Sequence, residues 1–559
     1  MIVRSLPFLT ALALGVASGA GAAAAVPASH IDASVRDLGP APSSVKVRVA
    51  VVLNYRHEAE LEQLVESQAD PDSKLFGHFL SPGLFRDYFA PTPADYARVI
   101  AALRAGGFTI ANTFGNRTVV DAVAPAPVAG HFFGVDIHRV LSPDAGLTYA
   151  ASGHTVIPAQ LGGAVYAVVG LDASHRMHPN YVFPKTQEAA ARPLQSPSGN
   201  PIFGPYGGYG PLVYINAYDL PAANGYTGTG RTSGVATDND FLDSDLASFL
   251  SYFGETRTGP PTQRVYVDGG PSQGLGPDSV ETTLDVETVV SISPGTALYV
   301  YEAPYDEPSN SNFIDIFNQV VTDDLVDTLN SSYTYCETAI NDYVPGYTKA
   351  LNKVELQGSA EGITFHAAAG DSGAYAYGCG SAVSVGEPTS TPNNISVGGT
   401  TLSVNNQGQE TGEVGWSGGT GGGVSVIFKV PHYQKNVPNI IKTGRNLPDV
   451  AFDADPGTGT ALYYDGGWGT VGGTSLASPI FGGTMAQINQ LRKSRSGLFN
   501  VTLYKTWLKH GYGSGSTPYF RDITQGSIPP FSAGPGYDQM SGIGALQATN
   551  FAGLIHAHH

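Results

Sequence analysis

The stretch Gly472-Gly-Thr-Ser-Leu-Ala-Ser-Pro479 decides how the rest of the chain is read. A glycine pair delivers a Thr-Ser couple, and apolar residues follow at Ile480, Phe481, Met485, Ile488 and Leu491. Those spacings trace one stripe of a helix and predict it to about Lys493. Glycine permits close backbone approach, and Ser475 falls at the helix start, where free N–H groups and the positive dipole end stabilise negative charge. Two readings stay open from this stretch alone: a serine that caps a helix, or one placed to attack a carbonyl.

Two carboxylate patterns lie upstream. Glu281-Thr-Thr-Leu-Asp285 falls in a segment, Ser279 to Val290, predicted as a helix. Residues four apart share a helix face. The pair is therefore a solvated acidic face or, sunk beside Leu284, Val286, Val289 and Val290, a pair with one raised pKa and a shared proton. A pair of the second kind suits a general base in acid, where histidine is already protonated. Asp371, in Ala368-Ala-Gly-Asp-Ser-Gly, sits in a glycine-flanked turn after an apolar strand. By itself it reads as an Asx-turn residue.

Composition bounds the partners. With 559 residues the chain has room for two or three domains. Lys and Arg number 29 against 47 Asp and Glu, a formal charge of −18, which argues against nucleic acid or an anionic membrane. Only 14% of residues are charged, so self-repulsion changes little in acid. An apolar run from Leu6 to Val16 behind Arg4, ending in small residues to Ala25, reads as a secretory signal peptide. No later stretch is long and apolar enough to span a membrane. In an oxidising compartment Cys336 and Cys379 are compatible with one disulfide, or remain two buried thiols.

Residues 26–184 alternate strands (Val45 to Leu53, Thr109 to Asn112, Thr118 to Ala124, Val165 to Leu171) with helices (Glu58 to Gln68, Pro93 to Leu103), which predicts a compact α/β domain. Residues 185–210 turn to Pro, Gly, Ser and Gln and read as an exposed, cleavable linker. From 211 to 559, continuous apolar strands separated by helices predict a mainly parallel, doubly wound sheet covered on both faces.

Gly-Thr-Ser-x-x-x-Pro resembles the nucleophile motif of subtilisin-like serine peptidases and of their acid-acting cousins, the sedolisins (serine-carboxyl peptidases). The histidines decide between them. Between Pro211 and Ser475 there are only His366 and His432, neither in the His-Gly-Thr-His setting of a subtilisin triad. "ETTLDVE" and "GDSG" instead match sedolisin motifs, and "FGHFLSPGLFRDYFAPTPADYARV" is similar to the activation-domain motif of sedolisin precursors. The resemblance implies a secreted acid endopeptidase made as a self-processing zymogen, acting on protein or peptide substrates as a monomer, with its propeptide as intramolecular inhibitor and chaperone. Ser475 would form the acyl-enzyme, Glu281 take its proton, Asp285 orient and buffer Glu281, and Asp371, uncharged, donate to the oxyanion. Tyr335 stands where relatives carry an aromatic near the acid pair, and Asp238 where some carry a network-extending Glu. Segments Phe520 to Gly526 and Ala533 to Gly544 are similar to the family's calcium site. That likeness implies one Ca²⁺ held by the side chains of Asp522 and Asp538 and the carbonyls of Ile523, Gly534 and Gly536. The positions of Cys336 and Cys379 resemble those of family cysteines, which favours the disulfide. The glycine-rich Val414 to Gln434 would border a cleft where an extended peptide pairs by its backbone. Two alternatives remain: a neutral-pH subtilisin-type peptidase using His366 or His432, and an inactive secreted binding relative.

Overall fold

A computed structural model describes residues 28–29, 31–185, 199–271, 274–305, 311–515 and 517–556. The signal peptide expected at residues 1–25 lies outside them, as do residues 186–198 of the linker.

The first domain is built on the strand β1 (Lys46–Leu53), whose sequence is apolar at nearly every position. Such a run predicts burial on both faces, and the structure supplies two covers. Val47, Val49, Val51 and Leu53 face the domain's own core, while Ala50 and Val52 join a core with residues of the second domain such as Phe317 and Leu351. Helices α1 (Glu58–Ala69) and α2 (Pro93–Ala105) follow, the second opened by Thr92, whose Oγ1 accepts the Asp95 N–H at 3.1 Å. Strands β2 (Thr109–Thr113), β3 (Val119–Pro125) and β4 (Val165–Val169) complete an antiparallel sheet in the order β2-β3-β1-β4. A second antiparallel sheet, with Arg36–Pro40, Asp136–Ser142 and Gly146–His154, was not read from the sequence.

A short strand, β5 (His178–Pro179), then leads toward the second domain. There β6 (Thr232–Thr237), β7 (Gln263–Tyr266), helix α3 (Ser279–Ile292), β8 (Ala297–Glu302), α4 (Asn312–Asp323), β9 (Thr328–Ser331) and β10 (Tyr333–Cys336) follow in turn. Next come α5 (Tyr347–Ala360), β11 (Thr364–Ala368), β12 (Asn394–Val404), β13 (Glu410–Gly415), β14 (Val450–Asp453) and α6 (Thr474–Arg492). The eight-stranded sheet runs β7-β8-β6-β9-β11-β12-β13, with β14 also on β12. Every pair is parallel except β12 with β13. This is the doubly wound, mainly parallel architecture that the apolar strands imply.

Two details sharpen the sequence reading. Ile202 and Tyr209 are buried in the second domain's core, and the Tyr209 N–H donates to the Gly459 carbonyl at 2.8 Å, so the end of the expected linker is packed rather than exposed. Cys336 and Cys379 are joined as a disulfide.

Candidate active site

Helices α3 and α6 carry the acid pair and the serine, and they pack against each other. All fourteen residues of α3 are buried, which rules out a solvated acidic face. Gly473 precedes α6 with φ 104°, a conformation that costs a side-chain-bearing residue. A Cβ there would fall 2.2 Å from the Asn180 carbonyl oxygen and 2.5 Å from Asp371 Oδ2. Glycine is therefore required twice over, by φ and by space. Ser475, the second helical residue, is fully buried.

The Ser475 hydroxyl donates to Glu281 Oε2 at 2.8 Å, with the Ser332 carbonyl oxygen 3.2 Å away. Asp285, one turn along α3, accepts the Ser332 hydroxyl on Oδ1 at 2.7 Å. The remaining oxygens, Glu281 Oε1 and Asp285 Oδ2, are buried without another partner. Burial first, then the Asp285 charge, push Glu281 well above the ordinary carboxyl range. Burial does the same to Asp285, opposed by the hydrogen bonds of Ser332 and Asn330. Both shifts favour the protonated form, so the pair keeps a proton further toward neutral pH than two free carboxyls would.

Asp371 lies in the turn after β11. Its Oδ1 accepts the Thr474 N–H at 2.8 Å and hydroxyl at 2.7 Å, while Oδ2 is shielded from water and unpartnered. Desolvation raises its pKa to about 7, against the pull of the Thr474 bonds. The turn is clamped from below by glycines. Gly421 N–H donates to the Gly370 carbonyl at 2.6 Å, and a Cβ on Gly421 would fall 2.0 Å from the Ala369 oxygen. Gly421 therefore seats the Asp371 turn.

Behind Asp285 runs a directed chain of buried side chains that sequence reasoning missed. Ser478 donates to Asn330 Oδ1 at 2.6 Å, and Asn330 Nδ2 donates to Ser332 Oγ at 3.0 Å. The His366 Nδ1 lies 3.0 Å from Ser478 Oγ. Since the Ser478 hydrogen goes to Asn330, His366 must be the donor in that contact. Burial lowers its pKa to about 3, so it stays neutral well into acid. His366 thus faces Ser478 and not Ser475, while His432 is an exposed side chain beside Glu66. Neither histidine reaches the serine, which removes the subtilisin-type alternative.

Tyr335 is likewise corrected. It faces His175, with its hydroxyl 2.9 Å from Nδ1. The aromatic beside the buried carboxyls is Tyr333, whose hydroxyl lies 3.2 Å from Thr237 Oγ1 and hydrogen-bonds Asp238. Asp238 also accepts Asn239 Nδ2 at 2.7 Å, so its bonds go to these neighbours and not to Glu281.

Near the C-terminus the side chains of Asp522 and Asp538 close on one turn. Asp522 accepts the Gly536 N–H at 3.1 Å and Asp538 the Gly534 N–H at 2.9 Å. The Ser541 hydroxyl stands between Asp538, at 3.1 Å, and the Ile523 carbonyl, at 3.4 Å. The candidate ligand atoms here, carboxylate and carbonyl, are all oxygens, a set that fits a hard cation. A separate group of three carboxylates, Asp121, Asp268 and Asp315, lies between the two domains with oxygens within 4.8 Å of one another.

Comparison with known proteins agrees with this geometry. Residues 33–174 match the family described as the pro-kumamolisin activation domain, and residues 276–526 match the subtilase family. The chain is 31% identical to sedolisin of Pseudomonas sp. (strain 101) over 91% of its own length and 87% of that protein's. It is 30% identical to kumamolisin of Bacillus sp. (strain MN-32) over 91% of both. A solved structure of Pseudomonas sedolisin, complexed with two molecules of pseudo-iodotyrostatin, superposes with a TM-score of 0.55 at 28% identity, covering 63% of this chain and 98% of that one. The chain belongs to the sedolisin family of serine-carboxyl peptidases, and its activation domain makes it a zymogen.

Proposed function

We propose that this serine-type peptidase works in acid through Ser475, Glu281, Asp285 and Asp371. The observation that carries the reading is the 2.8 Å hydrogen bond from the Ser475 hydroxyl to Glu281, in a site where no histidine touches the serine. Glu281 accepts the hydroxyl proton as Ser475 attacks a peptide carbonyl. Asp285 holds the second proton site of the pair and is kept in place by Ser332. Asp371 in its neutral form, together with the Ser475 N–H at the start of α6, donates to the oxygen that becomes negative. Glu281 returns the proton to the leaving amine, then takes one from the water that releases the acyl group.

The pH dependence follows from the directions of the shifts. Asp371 can donate only while protonated, so rate is lost as pH rises through about 7. At the acid end, a second proton on the Glu281–Asp285 pair removes the base. The expected profile is a bell centred in acid. Measuring kcat/KM from pH 2 to 9 on a denatured protein tests this, and a rate that keeps rising above pH 8 would refute it.

The remaining assignments belong to the same reading. Asp522 and Asp538 with the Ile523, Gly534 and Gly536 carbonyls would hold one Ca²⁺, which supplies cross-linking of the C-terminal loops and no chemistry. Residues 1–25 direct export. Residues 26–184 form the activation domain and 211–559 the catalytic domain, with final trimming within residues 185–210. Labelling of Ser475 by a peptide aldehyde separates the enzyme from an inactive relative.

A further inference from the structure

The segment His178–Val182 lies across the active site as an extended strand. β5 pairs antiparallel with β10, with Thr334 opposite His178. The Asn180 N–H donates to the Ser332 carbonyl at 3.0 Å. Two residues on, Val182 exchanges both backbone hydrogen bonds with Gly472, each at 2.9 Å. The chain is thus fixed on both sides of one peptide group. Its carbonyl, that of Asn180, accepts the N–H of Ser475 at 3.0 Å. It also shares the space beside Gly473 with the unpartnered Oδ2 of Asp371.

From this geometry we infer that Asn180–Tyr181 is the bond the zymogen cuts in itself, and that the pocket for the residue before the cut selects a carboxamide. The inference rests on the mechanism proposed above and names its first substrate. A carbonyl held by the nucleophile's own N–H, with a carboxyl poised on its other side, is where an oxyanion would form. The strand pairings keep it there without a search through solution. The Asn180 side chain is buried, at 4% exposure. Its Nδ2 donates to the Ser332 carbonyl at 2.9 Å, and its Oδ1 accepts the Thr334 hydroxyl at 2.9 Å. Both halves of the amide are matched, one to an acceptor and one to a donor. A purely apolar side chain would leave the Thr334 hydroxyl without its acceptor and the Ser332 carbonyl with one hydrogen bond fewer in a dry pocket.

The chemistry balances with groups already present. Ser475 Oγ bonds to the Asn180 carbonyl carbon as its proton passes to Glu281. The C–N bond to Tyr181 then breaks, and the proton moves to the departing nitrogen. Water hydrolyses the ester, leaving Asn180 as a new C-terminal carboxyl and Ser475 as the alcohol. Because Val182 stays paired to Gly472, the new N-terminus remains in the cleft until a later cut downstream removes it. The cut falls within the stretch that the sequence assigned to the activation domain, not in the glycine- and proline-rich linker after it.

Intact-mass analysis of the purified zymogen through an acid time course tests this, because the C-terminus of the released activation domain is unaffected by trimming of the mature chain. The expected fragment ends at Asn180, and it forms at a rate unchanged by tenfold dilution. Asn180→Ala should slow its formation about tenfold, from loss of the two side-chain hydrogen bonds, while Asn180→Gln slows it less. A fragment ending beyond Lys185 with the Asn180–Tyr181 bond intact overturns the inference, as does Asn180→Ala processed at the same bond and speed. Digestion of a denatured protein by the same acid-treated sample tells the two failures apart. Digestion without the Asn180 terminus sinks only this inference, whereas no digestion at all, with the zymogen intact, sinks the mechanism.

Discussion

Two of the buried carboxyl pairs among the described residues make a useful contrast, because only one of the two lies beside a serine at a helix start. Glu281 and Asp285 lie on one helix, with a serine hydroxyl on the first and Ser332 on the second. Asp121 of β3 and Asp315 of α4 meet between the domains, where burial first and the neighbouring carboxylates second push both carboxyls above their ordinary range. Burial is the leading cause of raised pKa in both pairs, taking Asp121 to about 8. The neighbours differ. Around Asp121 and Asp315 stand Asp268, bonded at 2.8 Å to Arg48, and the buried Tyr347. Around Glu281 stand an alcohol at a helix start and a chain of oriented donors. A raised pKa marks burial; chemistry needs the alcohol and the hole for its product oxygen.

The sharpest way to break this comparison is to remove the alcohol. Ser475→Ala should lower turnover by about 10⁶-fold and leave a folded, uncleaved precursor on a denaturing gel. Glu281→Gln should follow at about 10⁴-fold with little change in KM, read from steady-state kinetics. Asp371→Ala should lose about 10²–10³-fold in kcat. Asp371→Asn keeps a donor at every pH, so its residual rate should fall less steeply above pH 7 than that of the native enzyme.

The inter-domain pair should respond in stability and not in turnover. Its pKa values are raised over those of the separated chains, so its contribution to holding the activation domain is full in acid and is lost as pH rises through about 8. Asp315→Asn, which cannot ionise, should flatten the decline in zymogen Tm between pH 6 and 9 by about 2–4 °C. Mature turnover should be untouched. The smallest effect expected is from chelation: a Tm a few degrees lower in the mature form if Asp522 and Asp538 hold Ca²⁺.

What the sequence made legible follows the reach of each signal. Glu281 and Asp285 are four residues apart on one helix, so their shared face could be read directly. Ser475 and Asp371 announced themselves by glycines that the backbone needs. The Ser332–Asn330–Ser478–His366 chain joins three elements of the sheet and α6, and no local spacing records it. Asn180 was hidden for the same reason: its partners are Ser332, Thr334, Gly473 and Ser475, and its own neighbourhood reads as an ordinary chain end. Tyr335 was assigned by its likeness to an aromatic position in relatives, and strand alternation puts Tyr333 on the same face. Only the approach of His175 to one and Asp238 to the other separates them.

The central claim is that a carboxyl pair, and no imidazole, removes the proton from Ser475. The pH–rate profile of the mature enzyme, run beside that of His366→Phe, tests it most directly. The account predicts an acid bell that falls through about pH 7 in both proteins. A rate that climbs through pH 7–8 in the native enzyme and vanishes with His366 would contradict it.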